Sequence, residues 1–298
     1  QPPRSLSMLE LSILLPSVVN GLTLGAVYAL VALGLTLIYG VLHIINFAHG
    51  SLLMAALYGA FFMKDALGVD PYLAIPVLVA VCFAAGYALQ RFVIGRASHG
   101  KDQNVLLVTL GIAIIIENLA LYFFRADTRT VETPITYEML DIGLALVPYP
   151  RAIGFVAALL VAAALWWLIE RTDLGRAIRA VARERQGARL VGIDVDHIFA
   201  MSFGIGTAVL GAAACLLLPS FYVTPGVGNV FVLVAFTVVV LGGMGSFAGA
   251  LVGGLVIGVT ESLSGLFLGQ QFGQLGIFLI FIALLMFRPT GLFGSRLS

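Results

Sequence analysis

The sequence predicts an all-α fold, a polytopic transmembrane helical bundle of about 8–10 spans. Three observations carry this. Hydrophobic residues make up 60% of the chain and charged residues 10%, against about 25% charged in soluble domains. No Asp, Glu, Lys or Arg occurs between Glu10 and Lys64, or between Asp196 and Glu261, and each run is long enough for more than one crossing at roughly 20 residues apiece. Stretches such as Ile153–Trp167 are apolar on every side, whereas a membrane β-strand alternates polar and apolar positions. Backbone polar groups cannot stay unpaired in lipid, so these crossings are helices.

Apolar spans are expected at about 11–39, 47–63, 71–90, 105–124, 152–169, 198–218, 229–243, 247–266 and 271–287. The first is longer than one crossing needs, and Pro16, Asn20 and Gly21 are expected to divide it into an interfacial lead-in and a span. Segments 41–50 and 242–249 are rich in glycine and polar residues and are expected to be breaks within the membrane. The whole chain, 1–298, reads as one membrane domain.

Lys and Arg in short loops set orientation. Arg91, Arg96 and Lys101 fall in one loop. Arg171, Arg176, Arg179, Arg183, Arg185 and Arg189 fall in a second, at about 170–197. Arg288 and Arg296 are in the tail. The spans above place all of these on one side, the cytoplasm, with the N-terminus outside. The outer loop 125–151 is of mixed charge. The net charge of +1 gives no sign of a nucleic-acid partner. Cys82 and Cys215 sit in apolar segments and form neither a metal site nor a disulfide framework.

Within the 170–197 loop, Asp173 is placed to cap a helix beginning at Leu174, and Gly192 to end it in the left-handed region. Arg176, Arg179 and Arg183 share one face. Leu174, Ala177, Ile178, Val181 and Ala182 form another. Such a basic amphipathic helix lies on anionic lipid or docks on a soluble partner; the pattern alone leaves both open. Gly245, Gly249 and Gly253 recur every fourth residue, as do Gly254 and Gly258, with a counterpart in Gly21 and Gly25; this spacing suits close helix packing. His43, Asn46 and His49 recur at i, i+3 and i+6, a polar strip between uncharged spans that suits a hinge or a translocation path and lacks the ligand set of a zinc site. Glu117 lies inside an apolar span, so it is a path candidate too. The sequence holds no phosphate-binding loop, hydrolase elbow or zinc-protease helix, so no catalytic residue is assigned.

Several stretches resemble LivH-type permeases of branched-chain amino acid ABC importers. They are Asn20–Leu30, Asn46–Gly50, Leu174–Ala182 and Leu241–Ser246. The family's EAA-x3-Gly signature, which docks on the ATPase, corresponds here to Gln186-Gly187-Ala188 and Gly192; its acidic residue and first alanine are replaced. The resemblance implies a permease subunit in a bacterial-type cytoplasmic membrane, with a coupling helix at Arg176, Arg179 and Arg183. It also implies a homologous second permease, two ATPase subunits that bind ATP, an extracytoplasmic substrate-binding protein and a small-molecule solute. Relatives serve urea, other amino acids and small carboxylates. A stand-alone channel, an ion-coupled carrier and a non-transporting scaffold are the competing readings.

Overall fold

The computed structural model describes residues 4–97, 102–143, 145–288 and 290–293. Lys101 and Arg296 lie outside them. The order is α1 (Arg4–Leu42), α2 (His49–Leu67), α3 (Pro71–Ala88), a π-helical turn (Leu89–Ile94), α4 (Gly95–Ala97) and α5 (Asp102–Phe124). A small antiparallel hairpin follows, β1 (Met139–Asp141) and β2 (Leu146–Pro148), then α6 (Tyr149–Arg171), α7 (Asp173–Arg183), α8 (Arg185–Leu190) and α9 (Val195–Leu217). The chain ends with α10 (Val227–Gly242), α11 (Phe247–Leu268), a 3-10 turn (Gln270–Phe272) and α12 (Gly273–Phe287).

Every expected span is a helix. Seven, counting α3, the π-turn and α4 as one rod, are long and apolar enough to cross a membrane. The other two are α2, whose ends carry His49, Lys64 and Asp65, and α10, which has 16 residues. Local chemistry fixes several ends. Asp70 accepts from the Tyr72 N–H at 3.0 Å with Pro71 in the first turn of α3, and left-handed Gly68 stops α2. Ser246 caps α11 by accepting from the Gly249 N–H at 3.1 Å.

The helix α1 is continuous through Pro16, contrary to the expected division at Pro16, Asn20 and Gly21. Proline removes one helical donor, but α11 braces α1 there, with the Ser262 hydroxyl donating to Ser17 O at 2.6 Å. From Gly25 onward α1 is almost wholly buried, as is α9; these two are the core around which α2, α3, α10 and α11 pack. The helices α3, α5, α6 and α12 turn apolar side chains outward, among them Leu73, Tyr122, Trp167 and Met286, each more than half exposed. A large exposed apolar surface of this kind is a lipid-facing one.

Close backbone approach explains the glycine spacing. Gly254 lies on Ala29, and Gly258 on Gly21 and Gly25, so α1 and α11 cross with almost nothing between them. The expected ladder splits: Gly249 and Gly253 face the other way, toward Gly242 and Val238 O of α10. Gly245 is in the connecting turn at φ 86°, against Gly40. Segment 243–246 is therefore a tight turn at the same end of the bundle as the end of α1. That end also gathers the C-terminal segment, whose Leu292 and Phe293 N–H groups reach Leu241 O and Gly242 O at 2.8 and 3.0 Å.

Candidate functional site

The loop between α6 and α9 forms two helices where one was expected. Thr172 caps the first, accepting from the Gly175 N–H at 3.1 Å, so Asp173 is its first residue and not its cap. Gly175 lies so close to α6 that an added Cβ would sit 2.1 Å from Ile169 O. Glu184 is extended and breaks the helix; its carboxylate accepts from the Gln186 N–H at 3.1 Å and so caps α8. Gly192, at φ 88°, closes α8, its N–H meeting Arg189 O at 3.1 Å.

The arginines divide by task. Arg176 pairs with Asp173 on the exposed side of α7. Arg179 turns back, donating to Ile169 O and facing Glu170 at 3.5 Å; a cation is favourable at this C-terminal end of α6, so Arg179 fastens α7 to α6. Arg183 is exposed and has no carboxylate within ion-pair distance among the described residues. Gln186 is exposed, Gly187 half-buried and Ala188 buried against the bundle. Arg185, which the sequence did not single out, donates to Leu42 O at 2.6 Å and lies over the Phe199 ring at 5.2 Å. The loop is thereby tied to the ends of both core helices.

The polar strip is not helical. His43 ends α1 in the left-handed region, at φ 58°, and is exposed at the basic end of the bundle. Residues 43–48 then run back into the bundle. Asn46, 2% exposed, accepts from the Ala48 N–H at 3.0 Å. His49, fully buried, opens α2 with Nε2 3.0 Å from Val31 O. A carbonyl only accepts, so Nε2 carries the proton and Nδ1 keeps a lone pair that has no partner among the described residues. Val31 lies about three turns before the end of α1, so α2 starts deep inside the bundle. The expected shared face of His43, Asn46 and His49 is thus replaced by one exposed residue and two interior ones.

A second helix starts beside α2. Gly50 meets Gly228 in the first turn of α10, where an added Cβ would lie 2.1 Å from Gly228 O. Neither helix start carries a side-chain cap. Helix N-termini are electropositive, and Glu117 of α5 stands beside the first turn of α10, accepting from Asn229 Nδ2 at 2.9 Å. Thr109, also on α5, accepts from the Phe47 N–H at 3.4 Å. Asn229 was legible as a polar residue at the head of an apolar run, but its pairing with Glu117 was not.

At the opposite end of the bundle, Arg129 and Val223 exchange backbone hydrogen bonds at 3.0 and 2.9 Å and join the two outer loops. The Arg129 guanidinium lies over Phe61, Phe62 and Phe124 at 5.3, 5.8 and 5.7 Å.

The protein is a multi-pass helical membrane bundle, with a basic two-helix step at one end and the first turns of α2 and α10 packed together. The chain belongs to the family described as branched-chain amino acid transport system, permease component, which it matches over residues 17–288. It is similar to the high-affinity branched-chain amino acid transport system permease protein BraD of Pseudomonas aeruginosa, 33% identical over 293 residues that cover 94% of this chain and 95% of the relative. It is also 33% identical to LivH of Escherichia coli, over 291 residues covering 92% and 94% of the two chains. A probable LivH permease of Methanocaldococcus jannaschii is 29% identical over 279 residues, covering 89% and 88%. The chain is a multi-pass protein of the inner membrane.

Proposed function

We propose that this chain is the membrane-spanning subunit of an ABC importer that moves branched-chain amino acids. It works with a homologous second permease, two ATPase subunits that bind and hydrolyse ATP, and an extracytoplasmic substrate-binding protein. The observation that carries the reading is the chain of contacts from the basic step into the bundle. The α7–α8 step holds the end of α1 through Arg185 and Leu42 O; α1 in turn holds the start of α2 through Val31 O and His49; and α2 rests on the start of α10 through Gly50 and Gly228. A displacement of α7–α8 by the ATPase is passed to the place where the two helix starts meet. The exposed face of Arg176 and Arg183, with Gln186, Gly187 and Gly192, is the ATPase-coupling surface, and buried Ala188 seats it on the bundle. Asn46, His49 and Glu117 line the translocation path, and His43 its cytoplasmic exit.

Two global states that differ in ATPase contact drive the switch, because a ligand shifts an equilibrium only by its differential affinity for the two states. Arg176→Glu with Arg183→Glu in the assembled transporter tests this. The variant is expected to insert and assemble, yet to lose the acceleration of ATP hydrolysis by solute-loaded binding protein. Wild-type acceleration would remove α7 from the coupling surface.

A further inference from the structure

At the basic end a cavity of 1080 Å³ opens between the end of α1, the π-turn after α3 and the α7–α8 step. Its inner wall is apolar, with Leu42, Ile44, Val105 and Val195. Arginines line the other side. Arg185 is held by Leu42 O and Phe199. Arg91 and Arg189 stand at 4.0 and 3.9 Å from Asp194 and Asp196, the outer limit of an ion pair. Arg96 and Arg183 have no carboxylate within that distance among the described residues, and Arg96 lies over the Phe92 ring at 5.6 Å. With Glu184 and Asp196 also on the wall, positive charge remains in excess.

A second, independent feature points to a ligand. Gln90 lines the same cavity at 5% exposure, and its Oε1 accepts no hydrogen bond among the described residues. A buried acceptor left unpaired costs about 1–3 kcal/mol. Gln90 belongs to the π-turn, an irregularity that recurs at functional sites. The cavity thus presents cations for a phosphate and an acceptor for a hydroxyl. One edge of the cavity is apolar: Phe92 is 56% exposed and continues the outward side of α3 that leaves Leu73, Val77 and Val81 exposed. Basic pockets between helices on the cytoplasmic side suit anionic lipid headgroups.

We infer that this cavity holds the headgroup of an anionic phospholipid of the inner leaflet, a phosphatidylglycerol, with Arg96 on the phosphate and Gln90 accepting a headgroup hydroxyl. The acyl chains leave past Phe92. Because α7 and α8 form one wall, the lipid braces the coupling step against α3, whatever solute the transporter carries.

The test uses the full chain in a neutral detergent and follows its unfolding midpoint against four additives: dioctanoyl phosphatidylglycerol, dioctanoyl phosphatidate, dioctanoyl phosphatidylcholine and inorganic phosphate. Phosphatidylglycerol is expected to raise the midpoint at concentrations at least about tenfold lower than phosphatidylcholine or inorganic phosphate require. Arg96→Glu is expected to raise its half-saturating concentration at least about tenfold, and Arg96→Ala serves if the glutamate variant does not purify as a single species. Gln90→Leu is expected to weaken phosphatidylglycerol while leaving phosphatidate, which lacks the headgroup glycerol, unchanged. An equal response to phosphatidylcholine would overturn the inference. So would an equal response to inorganic phosphate, which marks a site for free anions. An Arg96→Glu variant that keeps the lipid response but loses ATPase subunits on purification would make the cavity a partner surface and overturn it too.

Discussion

Replacing Gly50 by alanine would place a methyl group 2.1 Å from Gly228 O and 2.8 Å from both Gly228 C and Val232 Cβ. An ordinary carbon-to-oxygen contact needs about 3.3 Å, so α2 and α10 must part by roughly 1 Å. The obstacle is backbone, and α10 is held from its far end by the Gly242 contact with Gly249; no side-chain rotation relieves the clash. Overpacking costs about 1–3 kcal/mol, and a rigid obstacle puts the cost near the top, about 3 kcal/mol. At about 2–4 °C per kcal/mol the unfolding midpoint in detergent falls by about 6–12 °C. Gly111→Ala is the control, since a Cβ there meets nothing within 4 Å. In a helix interior alanine is favoured over glycine, so this variant is expected to match or slightly exceed the wild-type midpoint. A Gly50→Ala protein that unfolds with the wild type and with Gly111→Ala would refute the close meeting of the two helix starts.

Three further outcomes are expected. Arg129→Ala removes a guanidinium enclosed by three rings and is expected to lower stability by about 1–2 kcal/mol, with Arg129→Lys recovering only part because it loses the planar stacking; equal midpoints for all three proteins would deny the clasp a role. Thr172→Ala removes the α7 cap and is expected to cost about 1 kcal/mol and to speed amide exchange in the first turn of α7, whereas unchanged exchange would contradict the capping. The Asp194 carboxyl accepts from the His197 N–H at 3.0 Å and faces Arg91 at 4.0 Å, which together hold its pKa below the usual carboxylate range. A depressed pKa contributes stability that is present above the ordinary Asp range and lost as pH falls through the lowered value. Asp194→Asn is therefore expected to flatten the acid limb of the midpoint-against-pH curve below about pH 4; superimposable limbs would rule this contribution out.

The helices were legible because their signal is one of exclusion. Two long runs free of charge admit little except membrane helices, and the spans expected from about 71 and 247 begin where Asp70 and Ser246 cap α3 and α11. The glycine spacing was legible as close packing, but which glycine meets which helix was not: Gly249 and Gly254 point to different neighbours, and only the assembled bundle decides that. The interruption between α1 and α2 was legible in the glycine and polar residues of 41–50, but the strip His43, Asn46 and His49 misled because it was read at helical spacing across that interruption. His43 takes a left-handed backbone without being glycine, and no local residue pattern announces that. The arginines of α7 share a face in sequence, yet Arg179 binds Ile169 O, since the end of α6 supplies free carbonyls that a reading of α7 alone does not contain. The ring clasp around Arg129 depends likewise on partners far along the chain, Phe61 and Phe62.

We propose that this subunit passes branched-chain amino acids inward at the expense of ATP hydrolysed by its partners. This is tested most directly in proteoliposomes that hold the chain with its co-purifying subunits and binding protein, by measuring ATP hydrolysis and uptake together across a panel of solutes. Leucine, isoleucine or valine is expected to accelerate hydrolysis with matching uptake, and urea and small carboxylates are expected to leave it unchanged. Acceleration by another solute alone would contradict the substrate, and uptake without any ATPase subunit present would contradict the coupling.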